Sequence, residues 1–146
     1  MDYAIGIIGA GFAGLVAALR LKKSGYNNFI IFERAAEVGG TWRDNTYPGC
    51  ACDVASPLYC FADEPNPHWS RLYSTQPQIL NYMKWVVEKN GLNSHIQYNT
   101  EIVDAHFQTA SGTWKLTDAG GRSVTVSILI LGIGPLNRPL SPIFRV

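Results

Sequence analysis

Three glycines set between an apolar run and a helical stretch constrain this chain more than anything else in it. Gly9-Ala10-Gly11-Phe12-Ala13-Gly14 follows Tyr3 to Ile8, a short apolar run suited to a strand buried on both faces of a parallel sheet. It opens Phe12 to Ser24, where Leu15, Ala18 and Leu19 recur at helical spacing and Gly25 stands where a left-handed C-terminal cap is needed. Phe29 to Phe32 reads as a second strand, so the segment makes the parallel crossover unit of α/β proteins. In that context Gly9 permits the tight turn, Gly11 lets a pyrophosphate approach the backbone, and Gly14 lets helix and strand pack closely. Phe12 and Ala13 then sit in a first helical turn whose free N–H groups and positive end suit a phosphate. Glu33 ends the second strand 22 residues beyond Gly11, where a carboxylate can accept both ribose hydroxyl protons, which favours an unphosphorylated ribose. Arg34 joins it among the candidate nucleotide-binding residues.

The stretch from Glu37 to Ser74 is rich in glycine, proline and aromatics and reads as a long ordered loop with a short helix in it; loops of that length are usually functional. Thr75 begins a helix, Gln78 completes a capping box, and Gly91 ends it. Ile79, Leu80, Met83, Val86 and Val87 form its apolar stripe, with Tyr82 and Trp85 beside it as packing residues. Ile96 to Phe107, Thr113 to Thr117 and Ser123 to Val126, parted by Ser111-Gly112 and Gly120-Gly121, predict a small antiparallel meander. Ser127 to Leu131 is continuously apolar and is expected to rejoin the parallel sheet.

At 146 residues, one domain is the expectation. With 47% hydrophobic residues, 16% charged residues and a net charge of +1, the chain is an ordinary globular one, and neither a nucleic-acid surface nor a membrane surface is expected. No apolar run approaches the roughly 18 residues of a membrane span, and Met1-Asp2-Tyr3 lacks a secretory n-region, so a cytoplasmic protein is expected. Cys50, Cys52 and Cys60 lack zinc-ligand spacing, His68 alone would be a poor fourth ligand, and no metal is expected. His95 and His106 show no partner pattern either.

FAD and NAD both satisfy the glycine fingerprint. Gly39-Gly40 shortly after the glutamate favours FAD, because a second glycine pair there recurs in flavoproteins with two dinucleotide-binding domains, where the chain passes close to the diphosphate. Gly39-Gly40-Thr41-Trp42 followed by Tyr47-Pro48-Gly49-Cys50-Ala51-Cys52-Asp53 resembles the N-terminal region of Baeyer–Villiger monooxygenases. The likeness continues through Leu58-Tyr59 and Glu64-Pro65-Asn66-Pro67-His68-Trp69-Ser70, which is most similar to the fungal branch. Gly132-Ile133-Gly134-Pro135 resembles the family's Ala-Thr-Gly segment, with Gly132 in place of alanine.

The resemblance implies a Rossmann-like FAD-binding fold, with residues 1–146 forming the N-terminal portion of the FAD-binding domain. It implies that Glu33 holds the adenosine ribose, that Gly40, Thr41 and Trp42 approach the flavin diphosphate and ring, and that Ile102 meets the adenine through its backbone. Asp53 matches a family aspartate beside the flavin and is the catalytic candidate; Tyr59 and Gly134 match cofactor-contacting positions. Asp53 would also suit an Asx-turn and Trp42 simple packing. Ala51 replaces an arginine common in relatives, removing a charge from the NADPH side.

The activity so implied is an NADPH- and O2-dependent monooxygenation that turns a ketone into an ester or lactone through a C4a-peroxyflavin. N- or S-oxygenation of a heteroatom substrate and a non-catalytic nucleotide-binding module are the alternatives. The chain has one glycine-rich turn and lacks both a second dinucleotide domain and the family's histidine-containing fingerprint, so it is expected to be part of a longer enzyme, inactive alone. The face that would meet the missing segments is expected to be apolar and prone to self-association.

Overall fold

The computed structural model describes residues 2–135. Strand β1 (Tyr3–Ile8) leads through the glycine turn into α1 (Phe12–Lys23), and β2 (Phe29–Phe32) returns beside β1 in parallel, with Ile5 opposite Phe29 and Ile8 opposite Phe32. All four β2 residues are buried, as a strand covered on both faces requires. Ser24 ends α1 and Gly25 follows in the left-handed region at φ 82°. Next come the short α2 (Thr41–Asp44), a single 3₁₀ turn at Ser56–Leu58, and α3 (Gln76–Lys89).

Helix α1 buries Gly14, Leu15, Ala18 and Leu19, and α3 buries Ile79, Tyr82, Met83, Val86 and Val87, two stripes at helical spacing. These stripes share one core with Ile5, Ile7, Phe29 and Ile31 from one face of the sheet. The alternate residues Ile30 and Phe32 point to the other face, where they pack with Leu116 and Val126.

The long loop is ordered by buried polar contacts. Ser56 Oγ receives the Ser74 N–H at 2.8 Å, and Tyr82 donates its hydroxyl to the Glu64 carbonyl at 2.7 Å while accepting the Phe61 N–H at 2.9 Å. The first closes the ends of the 56–74 segment on each other, and the Tyr82 bonds staple Phe61 and Glu64 to α3.

Two strand boundaries differ from the sequence reading. Ile96 to Phe107 is not one strand: β3 (Ile96–Gln97) pairs in parallel with β2, the chain turns at Asn99 with φ 52°, and β4 (Ile102–Gln108) begins afresh. Conversely, the two runs Ser123–Val126 and Ser127–Leu131 are one strand, β6 (Ser123–Leu131), which pairs antiparallel with β5 (Thr113–Asp118) and parallel with β1. No glycine or proline interrupts β6, so nothing stops its ladder at the junction, and Val126 faces both Tyr3 and Trp114. The meander therefore continues the parallel sheet, giving one six-stranded sheet of order β3-β2-β1-β6-β5-β4.

That order places β1 between β2, reached through α1, and β6, reached only after the rest of the chain. Ligands of open α/β sheets bind at such a reversal, beyond the carboxyl ends of the strands. No helix among the described residues is long and apolar enough to cross a membrane.

Candidate functional site

The start of the turn after β1 is held on both sides by its neighbours: the Gly9 N–H donates to the Phe32 carbonyl at 2.8 Å and the Gly132 N–H to the Ile8 carbonyl at 2.8 Å. A Cβ on Gly14 would lie 1.8 Å from the Gly9 carbonyl oxygen, so this position accepts no side chain while the turn keeps its shape. Gly11 is the N-cap of α1; no side chain caps that end and no acidic residue occupies its first turn. The first-turn amides of Phe12, Ala13 and Gly14 thus meet no competing carboxylate at the positive end of a 12-residue helix.

The second glycine pair is folded onto the first. Gly39 donates its N–H to the Ala10 carbonyl at 3.1 Å, and Gly40, at φ 51°, packs against Gly11. Two glycine turns distant in sequence thereby form one side-chain-free wall at the carboxyl end of β1. Such a wall is the cradle a diphosphate needs, since any Cβ would hold the phosphate off the backbone.

Glu33 is 4% exposed and lies under this wall. Its Oε2 accepts the Ala10 N–H at 2.8 Å; its Oε1 accepts the Ala35 N–H at 3.0 Å and Nη1 of Arg43 at 2.9 Å. Arg34 lies outside, with Nη2 3.7 Å from the Asp44 carboxylate. Ile102 opens β4 two residues after Thr100, whose N–H donates to the Glu33 carbonyl at 2.9 Å, so the strand start is tied to the ribose candidate. Ile102 also lines a small cavity of about 70 Å³ with Phe32, Thr100 and Leu116. Gly134 is exposed beyond the end of β6, two residues past Gly132, in the left-handed region at φ 69°.

An aromatic group flanks the wall. Trp42 donates its indole N–H to the Tyr59 hydroxyl at 2.9 Å, with ring centroids 5.6 Å apart. Phe12, from the first turn of α1, meets Tyr59 at 5.0 Å and Phe61 at 4.8 Å. Burial pushes the Tyr59 phenol above its ordinary value and outweighs the Trp42 N–H, with Cys52 and Asp53 adding to the rise. Gln76, on α3, reaches the Trp42 carbonyl with its side-chain amide and fixes α2 from below. Thr41 is exposed on α2, and Asp53 is exposed in the bend before Ser56.

The structure thus gathers Gly9, Gly11, Phe12, Ala13, Gly14, Glu33, Gly40, Thr41, Trp42 and Tyr59 around the carboxyl end of β1. Sequence reasoning missed Arg43 and the backbone of Ala10, both of which bind the Glu33 carboxylate. Arg43 lies ten residues after Glu33 with no periodic relation to it; its only signal was a cation three residues after Gly40.

Residues 7–75 match the family model of the NAD(P)-binding Rossmann-like domain. A Baeyer–Villiger monooxygenase of Streptomyces coelicolor is 42% identical over 138 residues, covering 94% of this chain and 26% of the relative. One from Pseudomonas aeruginosa is 44% identical over the same shares. This chain matches the N-terminal part of the Baeyer–Villiger monooxygenases. A fungal protein, the FAD-binding monooxygenase tazF of Aspergillus terreus, is 41% identical over 90% of this chain and 24% of the relative. Among solved structures, an oxidized steroid monooxygenase bound to NADP aligns with a TM-score of 0.88 at 34% identity, covering 99% of this chain and 28% of that one. A complex of OTEMO with FAD and NADP aligns at 0.89 and 29% identity, covering 96% and 27%. The chain spans about a quarter of the length of the curated relatives it matches.

Proposed function

We propose that this chain forms the adenosine-diphosphate half of the FAD site in a Baeyer–Villiger-type monooxygenase that uses NADPH and O2 to convert a ketone into an ester or lactone. One observation carries the reading: two glycine turns converge at the uncapped start of α1, directly above a buried glutamate. An adenosine diphosphate meets both needs of that arrangement, a polyanion for the amides and a hydroxylated sugar for the carboxylate.

Bound FAD, reduced by NADPH, supplies the oxygen chemistry itself. In this reading the chain's own residues bind and orient. The first-turn amides of α1 and the Gly39-Gly40 turn hold the diphosphate, and Glu33 accepts a ribose proton. Phe12, Trp42 and Tyr59 form an apolar wall that keeps water from the cofactor. The Trp42 N–H fixes the Tyr59 hydroxyl, and burial raises that phenol further above its ordinary value. Asp53, exposed beside this wall, is the carboxylate that orients a cationic partner next to the reacting oxygen. A cytoplasmic setting accords with an NADPH-using enzyme.

The test is oxygen uptake by the full polypeptide with NADPH and a panel of ketones, sulfides and tertiary amines, together with its visible spectrum. Bound flavin and an ester or lactone product are expected. Sulfoxide or N-oxide products alone would assign it to heteroatom oxygenation, and absence of any flavin would leave a nucleotide-binding module.

A further inference from the structure

Glu33 is a buried carboxylate, and a buried charge persists only when it is paired and hydrogen-bonded. Its pairing comes from Arg43, whose side chain is only 12% exposed. Arg43 is itself clamped: Nε and Nη2 grip the Asp44 carboxylate at 2.8 and 3.1 Å, while Nη1 serves both Glu33 at 2.9 Å and the Glu37 carbonyl at 2.8 Å. Burial opposes its charge, but the bonds to Asp44 and the attraction of Glu33 outweigh that cost and hold Arg43 cationic. Gly39 makes room for this packing, since a Cβ there would come within 2.9 Å of the Arg43 Cβ.

An ionised carboxylate offers about four acceptor positions. Three are taken, two on Oε1 by Ala35 and Arg43 and one on Oε2 by Ala10. We infer that Arg43 is a positioning residue of the ribose site: it locks Oε1 of Glu33 so that Oε2 alone presents one remaining acceptor position, for a single ribose hydroxyl. This rests on the reading of Glu33 as ribose acceptor and refines it, because a carboxylate so occupied takes one hydroxyl and not two. Nucleotide affinity then depends on Arg43 only through Glu33 and only for a sugar that carries hydroxyls.

The test is calorimetric binding of ADP and of 2′,3′-dideoxy-ADP to the flavin-stripped full polypeptide, for the wild type, Glu33→Gln, Arg43→Met, Arg43→Lys and the Glu33→Gln/Arg43→Met pair. Loss of a charge-assisted hydrogen bond predicts that Arg43→Met weakens ADP binding about tenfold. Arg43→Lys, which keeps the cation and loses the fork, is expected to recover part of this. In the Glu33→Gln background, or with the dideoxy nucleotide, Arg43→Met is expected to change affinity by less than about twofold. Equal losses for both nucleotides, equal losses in both backgrounds, or no loss at all would overturn the inference and leave Arg43 a brace of the loop. If Arg43→Met does not fold, the same comparisons made with Arg43→Lys decide the matter. Should Glu33→Gln bind ADP as tightly as the wild type, the ribose reading of Glu33 itself fails, whatever Arg43 does.

Discussion

Gly40 lies against Gly11, so closely that a Cβ on Gly40 would sit 3.2 Å from the Gly11 Cα. The contact joins two turns 29 residues apart, and Gly40 adopts φ 51° and ψ −123°, a conformation foreign to side-chain-bearing residues. Gly40→Ala is therefore expected to cost about 1–3 kcal/mol of stability through backbone strain. It should weaken FAD binding as well, because relief of the strain moves the wall. Thermal melts and flavin fluorescence titration of the variant check both; an unchanged melt with unchanged flavin affinity would refute the shared wall.

Glu64 predicts an acid limb in the stability profile. Burial alone would raise its pKa, yet Lys89 at 2.7 Å, with Asn90 and Lys23, holds the carboxyl below its ordinary 4.5. A depressed folded pKa contributes stability that is present above the unfolded value and is lost as pH falls through the folded one. Denaturant midpoints measured from pH 6 down to pH 3 should fall, and Glu64→Gln should flatten that fall while lowering stability near neutrality.

Asp53 is exposed, so Asp53→Ala should change stability by less than about 0.5 kcal/mol. If it orients a reacting partner, turnover of a ketone should still drop at least tenfold or so, with more NADPH consumed per ester formed. Equal product yield per NADPH at the wild-type rate would return Asp53 to the role of a loop carboxylate.

The outer edge of β6 predicts self-association. The strand pairs with β5 only as far as Val126, and among the described residues no strand pairs with that edge from 128 to 131. Ile128 and Leu131 are 54% and 61% exposed there, and Ile133 just beyond is also exposed. Unpaired apolar edges invite pairing with another chain. A polypeptide of residues 1–146 should therefore sediment as concentration-dependent oligomers, and Ile128→Lys with Leu131→Lys should shift it toward monomer.

The sequence by itself determined the elements whose causes are local. The glycine turn between β1 and α1, the left-handed Gly25, the capping pair in which Gln78 accepts the Thr75 N–H, and the stripes of α1 and α3 follow from neighbours within a few residues. The spacing of the two glycine pairs and of the strand-end Glu33 also marked residues that the fold brings together at the carboxyl end of β1. Only the tertiary structure decided that β6 is continuous, since strand identity depends on which partners flank it, here Tyr3 and Trp114 at Val126. Only it showed that Arg43 occupies Glu33, that Gly40 rests on Gly11, and that Trp42 donates to Tyr59. Those pairs are separated by 10 to 29 residues along the chain. Their contacts are set by how the loop folds back over the sheet, which the spacing of residue types along the chain does not encode.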